Sequence, residues 1–214
     1  MSRALSSVVL LAACGGSQHA PPPVANCNRI GAVSIVEQAD VDRVAGCRWM
    51  GSLTIKTGAP LDLSPLEVER ITGDVNVGPT LALEELRLDH LRAVGGAIRV
   101  ESNALLHGVF LPQLERTRTF TIEAGSALAT IAAPKLVTVN DSITIDELGS
   151  VEILDFSAVE TIGGALTITH NPELTLVQFD ALKIVKTVVI EANDKLPADQ
   201  VDALRARSPA ATDR

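Results

Sequence analysis

The sequence predicts an all-β chain wound as a right-handed parallel β-helix, a solenoid of about seven coils of 22–23 residues. Three observations predict it: a repeated strand phrase, apolar columns at fixed offsets from it, and an aromatic content of only 2%. The phrase reads Ser-Leu-Thr-Ile at Ser52 to Ile55, Asp-Val-Asn-Val at Asp74 to Val77, Ala-Ile-Arg-Val at Ala97 to Val100 and Thr-Phe-Thr-Ile at Thr119 to Ile122. It returns as Ser-Ile-Thr-Ile at Ser142 to Ile145, Ala-Leu-Thr-Ile at Ala165 to Ile168 and Thr-Val-Val-Ile at Thr187 to Ile190. The final residues sit at 55, 77, 100, 122, 145, 168 and 190, so the steps are 22, 23, 22, 23, 23 and 22.

Each coil repeats the same apolar plan. Six residues past the phrase stand Leu61, Leu83, Leu106, Leu128, Val151 and Leu174. Further on come the columns Leu86/Val109/Ile131/Leu154/Val177, Leu88/Leu111/Ala133/Phe156/Phe179 and Leu91/Leu114/Leu136/Val159/Leu182. Val94, Thr117, Val139, Ile162 and Val185 then precede the next phrase. A coil has no core of its own, so like residues must stack to bury one. The segments are short, alternating and β-branched, with no ten-residue helical stripe, which predicts strands joined by turns. At about 4.8 Å per strand, seven coils make a rod roughly 30 Å long. The first coil departs from this spacing after Leu61. Glycines at 51, 73, 95–96 and 163–164 are expected to allow the bend before each strand. Asn103, Asn171 and Asn193, three residues past their strands, are expected in left-handed turns and along a hydrogen-bonded stack.

The ends read differently. Residues 1–13 begin with Arg3 and a short apolar run too short to span a bilayer. The run ends in Leu11-Ala12-Ala13-Cys14, followed by Gly15, which resembles the lipobox of bacterial lipoproteins. That resemblance implies cleavage before Cys14, a lipid on its sulfur, and anchoring in a bacterial cell envelope. By the same resemblance, Gly15 in place of Asp after the Cys implies the outer membrane. Residues 14–26, with Pro21-Pro22-Pro23, read as a tether. In an oxidising compartment Cys27 and Cys47 are expected to form a disulfide. Two ligands without a neighbouring His are too few for a metal site, and none is expected. Residues 28–48 read as an atypical cap on the solenoid of 27–196. In 197–214, Ala198 to Arg207 read as a short helix with Val201 and Leu204 facing the last coil and a loose tail beyond. Trp49 reads as packing in the first cap.

A net charge of −8 argues against nucleic acid and against electrostatic docking on anionic lipid. No phosphate loop, nucleophile–His pair or cofactor motif appears, and the four histidines do not converge in sequence.

On these residues the chain resembles the receptor L domain found in growth-factor receptor ectodomains. The carriers are Cys27, Val44-Ala45-Gly46-Cys47, Met50 to Ile55, Ile71 to Val77 and Val94 to Val100, with Asn103 and Leu106. The resemblance spans about residues 27–196 and implies a non-catalytic binding module; it carries no ligand across.

The outward strand positions then form the candidate binding face. One column holds Thr54, Asn76, Arg99, Thr121, Thr144 and Thr167; Thr119 belongs to a column two residues earlier, and Glu101, Glu123 and Asp146 to an acidic column two residues later. The expected partner is a protein or a glycan. Thr and Ser also suit exposed strands with no ligand, which leaves a purely structural envelope lipoprotein as one alternative. The other is a carbohydrate-active enzyme using paired carboxylates from the acidic column. Calcium in that column is disfavoured because no Gly-Asp nonapeptide repeat is present, and an ice-binding role because Asp74, Arg99 and Val189 break the Thr pattern.

Overall fold

The computed structural model describes residues 27–208. The expected leader, Cys14, the tether and residues 209–214 of the tail lie outside the described residues. The chain is a parallel β-solenoid of about seven turns. Each full turn lays down three strand segments. The longest column runs through Trp49–Ile55, Val75–Val77, Ala97–Glu101, Thr119–Glu123, Ile143–Asp146, Thr161–Thr169 and Ile184–Glu191. A short column, Arg70–Ile71, Ala93–Val94, Arg116–Thr117 and Thr138–Val139, lies across a bend from it. The two columns join into one twelve-stranded sheet, because Trp49–Ile55, Thr161–Thr169 and Ile184–Glu191 run through the bend. A separate five-stranded sheet holds Glu85–Arg87, Gly108–Phe110, Thr130–Ala132, Ile153–Asp155 and Leu176–Gln178.

All seven phrases contain strands, every pairing is parallel, and the phrases are in register; the pairing of Thr161–Thr169 with Ile184–Glu191 shifts register between Ile162 and Ala165. Leu53, Val75, Ile98, Phe120, Ile143, Leu166 and Val188 are successive partners. One hydrophobic cluster runs from Val33 to Leu204. The apolar columns lie inside it with one departure. Leu61 is only partly buried, and Leu63, Leu66 and Val68 fill the first coil instead. That coil has no strand opposite the main sheet, which matches its irregular spacing. The few aromatics are concentrated in the core: Phe156 lies edge-on to Phe120 at 5.2 Å and stacks on Phe179 at 5.3 Å.

The glycines have a different reason from the expected one. Their φ angles at the bend are ordinary; what matters is backbone contact between coils. A Cβ on Gly95 would lie 2.3 Å from the Thr72 carbonyl oxygen, and one on Gly163 would lie 2.0 Å from that of Asn140. The left-handed turn is likewise displaced by one residue. Ser102, Ala124, Glu147, His170 and Ala192 hold φ between 52° and 57°, each directly after its strand. This conformation is costly for a residue with a Cβ. It is held because the first four donate their N–H to the next coil, at Glu123, Asp146, Thr169 and Glu191. The asparagines point inward instead. Asn171 is fully buried, accepts from the Leu148 N–H and donates to Ile145, Thr169 and Asn193. Asn103 accepts from the Thr80 hydroxyl and donates to the Val77 carbonyl.

At the N-terminal end the expected atypical segment contains an eighth parallel strand. Ile30–Ile35 pairs with Trp49–Ile55, Val33 opposite Leu53 and Ile35 opposite Ile55. Helix α1, Gln38–Arg43, follows and buries Val41. Cys27 and Cys47 are disulfide-bonded, their Cα atoms 4.7 Å apart. At the other end helix α2 spans Ala198–Arg205, with Asp199 in its first turn and Arg205 in its last, favouring the helix dipole. Leu204 is buried and Val201 partly so. Arg207 lies past the helix, and its guanidinium donates to carbonyls of Phe179, Asp180 and Leu182.

Removing the middle ring of the Phe stack leaves a cavity that rigid neighbouring coils cannot close. Phe156→Ala is expected to destabilise by about 3–5 kcal/mol, whereas the partly exposed Ile153→Ala should cost much less. Chemical denaturation of both variants checks this; equal losses would contradict a shared, rigid core.

Candidate functional site

The period of two along each strand places inward and outward residues by necessity. In-register stacking then turns each outward position into a column. Thr54, Asn76, Arg99, Thr121, Thr144 and Thr167 are successive partners, as the sequence predicts. Val189 ends the column. Thr119 stands in the neighbouring column opposite Ala97. Glu101, Glu123 and Asp146 are successive partners in the third column, continued by Thr169 and Glu191. All ten candidate residues therefore share one face. Most of the hydroxyls are half-buried by their neighbours, and Arg99 projects further.

Two members that break the hydroxyl pattern are tied to each other. Asp74 accepts the Ala97 N–H at 2.8 Å and lies 3.6 Å from the Arg99 guanidinium. The face also extends one strand further than expected, because Ser34 is the partner of Thr54. Ala32-Val33-Ser34-Ile35 carries the phrase, but it stands 20 residues before Ile55 instead of 22 or 23. Helix α1 replaces an ordinary coil there and breaks the period.

The acidic column is not uniform. Partial burial raises the Glu123 pKa above the ordinary carboxylate value, and the charges of Glu101, Asp146 and Glu147 add to it. Burial also works to raise Asp146, but hydrogen bonds from the Thr169 hydroxyl at 2.6 Å and the His170 ring at 2.9 Å outweigh it. Asp146 therefore sits below the usual value. The same hydrogen bond raises His170 above an ordinary imidazole, against a smaller effect of desolvation, with Glu147 and Glu191 assisting. The left-handed backbone at His170 follows its strand directly, one coil beyond Asp146. Among the described residues His90, His107 and His170 stand beside three different strands, and the His170–Asp146 pair has no signal in sequence order. Among the described residues no group of three or more His, Cys, Asp or Glu has an arrangement able to hold a metal ion.

Trp49 departs from its expected packing role. It is 42% exposed and lies under the Arg70 guanidinium, 5.3 Å from ring centroid to carbon. It begins an outward column across the bend, Trp49, Arg70, Ala93, Arg116, Thr138, Thr161 and Ile184. Clefts open along this column and at the corner formed by Pro60–Ser64 and Ala82–Arg87, off the hydroxyl-rich face.

The fold and this face define a parallel β-solenoid that presents registered columns of hydroxyls and carboxylates. No protein-family model, no curated protein and no solved structure matches the chain.

The pH dependence of the pair follows from the two shifts. His170 is raised, so its contribution is full below the unfolded imidazole value and is lost as pH rises through the raised one. Asp146 is lowered, so its contribution is present above the unfolded carboxylate value and is lost as pH falls through the lowered one. The pair is at full strength between these ranges, roughly pH 4 to 6.5. In an NMR titration His170 should titrate above a free imidazole and return towards it in Asp146→Asn; a normal value in the parent protein would break the assignment. Glu123→Gln should raise the unfolding midpoint at neutral pH and leave it unchanged at pH values where Glu123 is already protonated, as thermal melts will show.

Proposed function

We propose that this chain is a non-catalytic binding module of the receptor L type, held at a bacterial cell envelope by a lipid on Cys14. The observation that carries this reading is the candidate face itself, an in-register outward column running from Ser34 through Thr54, Asn76, Arg99, Thr121 and Thr144 to Thr167. Such a face offers a broad polar surface with many short side chains, suited to a protein or glycan partner and ill suited to enclosing a small molecule. The Cys27–Cys47 disulfide supports an extracytoplasmic location. The outer membrane, a right-handed winding and cap roles for the two end segments belong to the same reading. Nucleic acid, cofactor and metal have no part in it.

One observation favours a second reading, a carbohydrate-active enzyme. Glu123 and Asp146 are direct partners whose pKa values are displaced in opposite directions, as an acid and its companion carboxylate require. Against it, this face carries no aromatic subsite among the described residues.

A screen of glycans and envelope components against the chain from Val24 onward tests both readings. Thr121→Arg with Thr144→Arg should abolish binding while leaving the β spectrum intact. Binding indifferent to the two arginines, or none at all, would move the weight to a structural envelope role. Turnover of a polysaccharide that is lost in both Glu123→Gln and Asp146→Asn would establish the enzyme instead. Separately, Cys14→Ser should shift the protein from the membrane to the soluble fraction of the expressing cell; a parent protein already soluble would remove the lipid anchor.

A further inference from the structure

Across the bend from the hydroxyl-rich face, two arginines flank a gap. Arg70, Ala93 and Arg116 are consecutive partners in the short column. Two strand spacings separate the arginine Cα atoms by roughly 10 Å, within reach of two long side chains converging from either side. Ala93 between them points outward yet is only 7% exposed. The cleft has a volume of about 270 Å³, and Ile71, Thr72, Val94, Gly95, Thr117 and Asn140 complete its lining.

The charge pattern makes this cleft unusual in an acidic chain. Of the eleven arginines in the described residues, eight are tied to a carboxylate or a backbone carbonyl. Arg29, Arg70 and Arg116 have no such acceptor among the described residues. The adjacent acids do not neutralise the cleft, since Glu69 pairs with Arg48 and Glu115 with Arg92. Trp49 braces Arg70 by stacking beneath it, which leaves the edge N–H groups of the guanidinium available. The Thr72 hydroxyl is directed at the Gly51 carbonyl, and the exposed Asn140 amide adds a further donor.

We propose that the cleft between Arg70 and Arg116 binds a phosphomonoester group. Two guanidinium forks match a dianion in charge and present parallel N–H pairs to its oxygens. A carboxylate, with one charge and two oxygens, satisfies only one fork. The small side chain of Ala93 leaves the floor open for the anion. This site is independent of the Thr-rich face, and neither requires the other.

The test uses the full chain carrying Cys14→Ser, so that no acyl group brings it to a membrane. Calorimetry with inorganic phosphate should show saturable binding, and acetate should not compete at equal concentration. Arg70→Gln and Arg116→Gln should each weaken binding about tenfold. Ala93→Leu, which fills the floor and removes no charge, should also weaken it, while Lys195→Gln, beside Glu173 past the last strand, should not. Vesicles of phosphatidic acid in phosphatidylcholine separate the sources. Capture that is lost in Arg116→Gln assigns the group to a lipid headgroup; phosphate binding without capture assigns it to a soluble phosphomonoester, and both outcomes support the site. Absence of saturable phosphate binding, equal binding in all variants, or equal competition by acetate would overturn it. Circular dichroism of each variant keeps a folding defect from passing as a lost site.

Discussion

Backbone hydrogen bonding between equivalent residues of successive coils governs this molecule. No coil can satisfy its own strand N–H and C=O groups, because each strand's partners lie 20 to 23 residues away. A buried unpaired peptide group is expensive, so the register is enforced at every turn of the chain. Once the register is fixed, a residue type at one position must suit the same position above and below. This is why Leu86, Val109, Ile131, Leu154 and Val177 fall together in the core. It also explains the glycines, since coil backbones touching at the bend leave no room for a Cβ. The left-handed residues after each strand follow from the same constraint: their strain is accepted because their N–H groups continue the ladder.

Registration shapes the surface as firmly as the core. It aligns Thr121, Thr144 and Thr167, and it equally forces Glu101, Glu123 and Asp146 into a row of like charges. The molecule answers that repulsion locally. Thr169 and His170 donate to Asp146, while Glu123, with no such donor, is pushed towards protonation. Elsewhere neighbouring coils exchange charge, as in Arg92–Glu115, Arg118–Asp141 and Lys183–Glu160. Each exposed pair contributes at most about 1 kcal/mol, so these ladders tune the register and do not create it.

The ends meet the same requirement by other means. Beside the last strand of the smaller sheet, the Gln200 amide accepts from the Val177 N–H and donates to the Thr175 carbonyl. Arg205 and Ser208 reach carbonyls of Ile190 and Lys186. Side chains of the terminal segment thus bond to backbone groups of the last coils. At the start, Ile30–Ile35 lays one more strand on the sheet before helix α1 turns the chain away.

The solenoid, its period, the seven phrase strands, the core columns and the outward Thr and acidic columns were all legible in residue order. This is so because an in-register stack writes each spatial column as an arithmetic series in residue number. What breaks the series was not legible. The strand at Ile30–Ile35 sits off period, and the first coil is filled by Leu63, Leu66 and Val68 in place of Leu61. Which residue takes the left-handed turn, and which way the asparagines face, depends on carbonyls of other coils. The Asp146–His170 pair joins residues 24 apart, off the main column, and the cleft between Arg70 and Arg116 depends on which arginines have been claimed by acids. The spacing of that column could be read in the sequence; that Arg70 and Arg116 have no carboxylate partner among the described residues emerges from the folded arrangement alone, because side-chain partners are chosen in space after the register is set.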